Sequence, residues 1–274
     1  MELVAPSGWQ CVDFISDLHL HASDPLTFQV WRAFLEQTAA DAVFILGDLF
    51  DVWVGDDVLS LPEGFERQCA DVLRTAARRV DLYIMCGNRD FLMGAPLMVE
   101  CGCTLLEDPT VLSFADQRWL LTHGDALCHG DIDYMQFRAK VRNPHWQQDF
   151  LDKPLAQRMD LGRAMRVESE THKNDAAVYV DLDSQATDVL LQSRNAGHMV
   201  HGHTHRPARH LLEAGRERLV LSDWDQCATP ARAEVLRLRR SSQILDANYT
   251  VERIPPAMAT VTPRATLQKP EAAD

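Results

Sequence analysis

No stretch of this chain holds the ~20 consecutive apolar residues that a helix needs to cross a bilayer. The first residues also lack a charged segment followed by an apolar one, so no secretory signal is read there and a cytoplasmic protein is expected. Cysteine pairing is missing too: the count of seven is odd, no CxxC spacing occurs, and Cys101 and Cys103 stand one residue apart. That excludes a disulfide frame and a zinc ribbon, leaving reduced and mostly buried thiols. Basic charge is scarce, with 27 Lys and Arg against 40 Asp and Glu and a net charge of −13. A nucleic-acid backbone calls for a basic surface, so no nucleic-acid partner is expected. The chain is expected to act as a monomer. No internal repeat is visible. The 274 residues suffice for one large domain or two small ones.

What is present begins with His201-Gly202-His203-Thr204-His205. On an extended chain, side chains at i, i+2 and i+4 share one side, so this spacing offers three imidazoles to a single centre. Four upstream stretches repeat one design, an apolar strand that stops at Asp, Asn or His. Residues 9–15 run into Ser16-Asp17-Leu18-His19. Residues 42–46, apolar throughout as in a strand covered on both faces, run into Gly47-Asp48-Leu49-Phe50-Asp51. Residues 81–85 lead to Cys86-Gly87-Asn88-Arg89-Asp90, and a hairpin of 110–114 with 118–122 leads to His123-Gly124-Asp125. Between them, Asp24-Pro25 caps a helix bearing Phe28, Trp31, Phe34 and Leu35, and the capping-box spacing at Ser60–Glu63 predicts a second helix reaching Arg79. Further hairpin arms are expected at 209–212, 218–221 and 233–239. Alternating strands and helices followed by hairpins predict an α/β sandwich of two sheets flanked by helices, with ligands gathered beyond the carboxyl ends of the strands. Residues 1–255 read as one domain, and 256–274, poor in large apolar residues, as a disordered tail.

Taken singly, Asp17 and Asp48 suit helix caps, Asn88 a turn and His123 a satisfied strand-end histidine. Five such endings on successive strands favour a shared role. Collected, Asp17, His19, Asp48, Asn88, His123, His203 and His205 give four imidazoles, two carboxylates and an amide oxygen. That mixture suits Mn²⁺, Fe²⁺ or Zn²⁺, whereas an all-oxygen set would suit Ca²⁺ or Mg²⁺. Seven donors exceed the need of one ion and serve two if a carboxylate bridges. Two such ions could clamp an in-line displacement at phosphorus, with a water shared between them as nucleophile.

These five blocks, spanning residues 17–205, resemble those of the calcineurin-like metallophosphoesterases. The resemblance implies a four-layer αββα fold. It implies Asp17, His19, Asp48 and His205 around one metal and Asp48, Asn88, His123 and His203 around the other, with Asp48 as the bridge. Where many members place a proton-donating histidine after the asparagine, this chain has Arg89, which keeps its proton but grips phosphate oxygens. Asn88-Arg89-Asp90, Phe50-Asp51-x-Trp53 and Asp125-Ala126-Leu127-Cys128 are similar to the branch that cleaves UDP-2,3-diacylglucosamine in lipid A biosynthesis, over about residues 10–240. That branch implies two Mn²⁺ ions and water attack at the α-phosphorus, yielding UMP and 2,3-diacylglucosamine 1-phosphate. It also implies peripheral work at the cytoplasmic face of the inner membrane. Asp48, Asn88, Arg89 and His203 would then be catalytic, and Asn88, Arg89, Asp131, Ser169 and His203 would contact substrate. A lysine common in the branch is Ala176 here, so Lys173 would stand in for it, and Cys128-His129-Gly130-Asp131 also departs from the branch's usual ending.

Residues 134–183 are extra to a minimal member of this family. Phe137, Trp146, Phe150, Leu151, Leu155, Met159, Leu161 and Met165 interleave there with Arg138, Lys140, Arg142, Lys153, Arg158, Arg163, Arg166 and Lys173. Two readings stand: a helical subdomain with its own small core, or a helical lid whose apolar stripe accepts acyl chains while its basic rim meets anionic lipid. For the whole chain, the alternatives are a phosphodiesterase of another nucleotide or a cyclic nucleotide, and a non-catalytic scaffold. The complete donor set argues against the scaffold.

Overall fold

A computed structural model describes residues 1–175, 180–241 and 248–260, without side chains over 167–175. In chain order the elements are β1 (Glu2–Val4), β2 (Cys11–Ile15), α1 (Pro25–Gln37), β3 (Ala42–Leu46), α2 (Phe65–Ala76), β4 (Asp81–Met85), α3 (Ala95–Cys101), β5 (Thr104–Leu106), β6 (Thr110–Phe114), β7 (Gln117–Thr122), α4 (Ile132–Val141), α5 (Pro144–Leu151), α6 (Leu155–Asp175), α7 (Ser184–Ser193), β8 (His198–His201), β9 (Ala208–Leu211), β10 (Glu217–Val220), β11 (Val235–Arg240) and β12 (Tyr249–Ile254).

Two six-stranded sheets result, ordered β1-β6-β7-β8-β10-β9 and β12-β11-β2-β3-β4-β5. The period-two alternation of each strand sorts its residues between two cores. Val12, Phe14, Phe44 and Leu46 of one sheet meet Leu112, Trp119, Leu121, Val200 and Leu219 of the other in a core between the sheets. Ile15, Val43, Ile45, Leu82 and Ile84 face Trp31, Phe34, Leu35, Leu73 and Leu97 of the helices outside. On the far side, Val111, Leu120 and Met199 pack against Leu191 of α7. The order helix, sheet, sheet, helix is the four-layer sandwich expected. A buried polar network interrupts the apolar packing: Asp13, fully buried, accepts Nε and Nη2 of Arg237 at 2.7 and 2.8 Å and the Thr38 hydroxyl at 2.7 Å.

Local chemistry sets the element ends. Asp24 caps α1, its side chain accepting the Thr27 amide at 3.1 Å with Pro25 at the first helical position, as the sequence predicts. The helix expected from Ser60 starts later, because Ser60 closes a 3-10 turn over Asp56–Ser60 and α2 begins only after Gly64. Residues 256–260, assigned to the tail from composition, join the fold. Ala259 is buried, and its carbonyl accepts the Ala39 amide and Arg237 Nη2, both at 2.9 Å. The remainder of the expected tail, 261–274, lies outside the described residues.

The helices expected in the extra segment are α4, α5 and α6. Their apolar residues are largely committed: Phe150 is buried, Trp146 stacks on it at 5.2 Å, and Trp146, Leu155, Met159 and Met165 lie against the cluster under α1–α3. Phe137, Leu151 and Leu161 remain exposed.

Candidate metal centre

Strands β2, β3 and β4 run parallel in one sheet and β7 and β8 in the other, so their carboxyl ends open at one edge. The five loops leaving those ends carry every expected metal donor. Beyond the strands the backbone turns sharply: Asp17, His19, Asp48, His203 and His205 have φ of 53, 47, 52, 67 and 54°. A side chain in that left-handed region costs on the order of 1 kcal/mol, and such strain collects where a fold holds groups for a purpose. Two glycines let the loops close. A Cβ on Gly87 would stand 2.1 Å from Asp48 Oδ1, and one on Gly202 would stand 2.4 Å from Asp17 Oδ2.

The donors meet as two overlapping groups. Asp17, His19 and His205 converge, with His205 Nε2 3.2 Å from Asp17 Oδ1 and 3.2 Å from His19 Nε2. Asp17, Asp48 and His123 converge beside them. Asn88 Oδ1 lies 2.9 Å from both His123 Nε2 and His203 Nδ1. Asp48 lies between the groups, 3.9 Å from His19 Nδ1 through one oxygen and 3.8 Å from His123 Nε2 through the other. Its Oδ1 also accepts the Arg89 amide at 2.9 Å. His123 Nδ1 lies 2.9 Å from the Leu46 carbonyl, a bond that fixes the proton on Nδ1 and turns the Nε2 lone pair inward, as a metal-binding imidazole requires.

His201 does not join them, contrary to the expectation from spacing. The chain is extended only as far as His201. Thr204 N then turns back to the Gly202 carbonyl at 2.8 Å, and His201 is buried away from the centre with Nδ1 2.8 Å from that same carbonyl. Burial and Arg218 depress its pKa to about 3, so it is a neutral core residue.

Electrostatics fit cations. Asp17, Asp48 and Asp90 are all buried within this small space. Burial raises Asp48, and burial together with Asp48 pushes Asp90 up to about 7, the response of crowded negative charge. Burial would also raise Asp17, but His205, His123 and His19 hold it well below the usual carboxylate range. Burial opposes a proton on His123, yet Asp48, Asp17 and Asp125 raise it to about 9. Divalent cations among these donors would relieve the carboxylates and take the place of that proton.

Several residues around the centre carry roles that spacing alone does not reveal. Asp90 accepts the Gly87 amide at 2.7 Å and the Phe50 amide at 3.3 Å, tying two loops together. Asp125, fully buried, accepts the Tyr134 hydroxyl at 2.5 Å and Arg138 Nε at 2.8 Å, anchoring α4 beside His203, whose ring lies 5.7 Å from that of Tyr134. The available signal for both is an aspartate shortly after the loop's glycine, three places on for Asp90 after Gly87 and one for Asp125 after Gly124. Asp131, an expected substrate contact, caps α4 by accepting the Tyr134 amide at 3.0 Å. Ser169 and Lys173 lie on α6, but their side chains are outside the described residues.

A four-layer sandwich with potential metal donors converging at its strand ends is the architecture of a metallophosphoesterase. The sequence profile of the calcineurin-like phosphoesterases matches residues 12–207, and the chain belongs to that family of hydrolases. Within it, the chain is 44% identical over 224 residues to UDP-2,3-diacylglucosamine hydrolase of Chromobacterium violaceum, covering 78% of this chain and 90% of the relative. It is 41% identical over 219 residues to the protein of the same name from Chromohalobacter salexigens, covering 77% and 87%.

Proposed function

We propose that the chain hydrolyses the pyrophosphate bond of UDP-2,3-diacylglucosamine, releasing UMP and 2,3-diacylglucosamine 1-phosphate. The observation that carries the reading is the pairing of a complete donor set with an arginine where a proton donor would otherwise stand. The relatives' names supply the substrate.

Asp17, His19, Asp48 and His205 would hold one divalent cation, and Asp48, Asn88, His123 and His203 a second, with Mn²⁺ the expected ion. When bound, the pair supplies Lewis acidity and an activated water for attack at phosphorus. The chain's own residues do the rest. Asp48 is fixed by the Arg89 amide, and His123 is fixed by the Leu46 carbonyl, so neither imidazole nor carboxylate must reorganise as charge develops. The Arg89 Nε is buried without a hydrogen-bond partner, a donor that a phosphate oxygen would satisfy. A phosphate leaving group needs charge stabilisation and no proton, which suits an anhydride better than an alkyl ester.

The segment α4–α6 serves as a lid that receives the acyl chains, and the protein works peripherally at the cytoplasmic face of the inner membrane as a monomer. No described helix is long and apolar enough to cross a membrane. The test is a substrate panel with Mn²⁺. UDP-2,3-diacylglucosamine should exceed a cyclic nucleotide and a chromogenic diester in kcat/KM by orders of magnitude, and preference for the cyclic nucleotide would overturn the assignment.

A further inference from the structure

Asp51 stands three residues after Asp48, too far along its loop to join the metal donors. It is nevertheless buried and faces two cations. Its Oδ1 accepts Nη1 of Arg89 at 3.3 Å, and its Oδ2 pairs with Nε of Arg166. Arg89 follows β4, whereas Arg166 comes from α6, so one carboxylate joins the phosphate-binding loop to the extra helical segment. Both guanidiniums stand beside the centre, with Arg89 Nε 3.9 Å from Asp48 Oδ2.

The approach of α6 is built for this contact. Arg158 pairs with both oxygens of Asp57 and donates to the Val54 carbonyl. One turn on, Gly162 is buried against the same loop, where an added Cβ would stand 2.8 Å from Val52 Cγ1 and 2.9 Å from Val54 Cγ1. One more turn brings Arg166. Residues at i, i+4 and i+8 share a helix face, so three successive turns of α6 lie on the loop that carries Asp51.

We propose that Arg166 is a second guanidinium for the departing phosphate of a diphosphate substrate, and that Asp51 is the positioning residue that spaces Arg166 and Arg89 to receive it. The inference rests on the diphosphate reading above. In the reaction the water oxygen bonds to one phosphorus and the bridging P–O bond breaks. Its electron pair stays on the departing phosphate, and a water proton passes to solvent. The departing group thereby gains negative charge, and two forked cations match it without donating a proton. A simple diester of an alcohol or phenol puts no second phosphate at that position. The pair therefore sets the preference for anhydrides over esters.

The experiment compares the parent with Arg166→Gln, Arg166→Lys, Asp51→Asn, Asp51→Glu and Gly162→Ala, each checked for folding and metal content. The substrates are UDP-2,3-diacylglucosamine and bis(p-nitrophenyl) phosphate, and the inhibitors are glucosamine 1-phosphate and UMP. Removing one preorganised donor costs about 10²–10³ in rate, so Arg166→Gln should lose on that scale with the diphosphate, at least tenfold more than with the diester. Its inhibition constant for glucosamine 1-phosphate should rise about tenfold more than that for UMP. Asp51→Asn and Gly162→Ala should shift both ratios the same way, with Arg166→Lys and Asp51→Glu recovering part. Equal losses on both substrates, or a parent-like Arg166→Gln acting on the diphosphate, would overturn the inference and leave the functional reading standing. A parent enzyme that cleaves the diester but no diphosphate would end both.

Discussion

The imidazoles of His19 and His205 meet Nε2 to Nε2 at 3.2 Å. Two lone pairs cannot face each other at that distance in a stable fold, so a proton or a cation belongs between them, and Asp17 Oδ1 lies 3.2 Å from the same His205 nitrogen. A ligand bound only by the folded state stabilises it by about 2.7 kcal/mol at a concentration one hundred times its Kd. Saturating Mn²⁺ should therefore raise Tm by roughly 5–10 °C over the chelated protein. His205→Ala should abolish part of that rise and lower the bound metal by about one equivalent, measured by calorimetry and elemental analysis. A Tm indifferent to chelator would count against the centre.

Asp48 and Asp51 make a sharper contrast. Asp48 lies between the two donor groups, whereas the Asp51 carboxylate pairs with Arg89 and Arg166. Asp48→Ala should lose both metals together and nearly all activity. Asp51→Ala should keep its metal and lose about 10²-fold in rate, the scale of one misplaced charge-assisted donor. Equal metal loss in the two variants would refute the bridging role of Asp48.

What the sequence revealed follows from which contacts are local. Strand ends announce themselves as an apolar run stopping at Asp or His, so the side chains that converge beyond them could be picked out, as could the Asp24 cap. Period-two spacing alone groups His201 with His203 and His205, but it holds only while the chain stays extended, and the left-handed turn at His203 is invisible in residue types. The link from Asp51 to Arg166 joins distant segments and leaves no spacing signature. Strand β12 went unseen because its burial alternates on an exposed edge, with Glu252 and Arg253 interrupting the apolar pattern.

The buried pair of Asp13 and Arg237 predicts a stability effect far from the centre. Removing one partner strands the other's charge in the core, which typically costs about 3–5 kcal/mol. Asp13→Ala should lower the free energy of unfolding in urea by that scale. Ending the chain after Pro255 should also destabilise it, because the Ala259 carbonyl that accepts Arg237 and Ala39 would be gone. A truncated chain with the parent's midpoint would show that residues 256–260 contribute nothing.

The lid reading can be tested through the apolar residues that α4–α6 leave exposed. Trp146 and Phe150, the obvious candidates from sequence, are stacked on each other and packed on the main domain, with Phe91 6.2 Å from Trp146. Truncating either opens a cavity, so Phe150→Ala should cost about 3–5 kcal/mol of stability. Phe137, Leu151 and Leu161 already face solvent, so replacing them with serine should change stability by less than about 0.5 kcal/mol. If acyl chains bind there, each CH₂ taken from water contributes about 0.8 kcal/mol, and KM should climb steeply as both chains are shortened. The serine variants should flatten that climb while metal content and the rate on a short-chain substrate stay near the parent's. A slope of KM against chain length that is the same in parent and variants would place the acyl chains on another surface and leave α4–α6 as a structural subdomain.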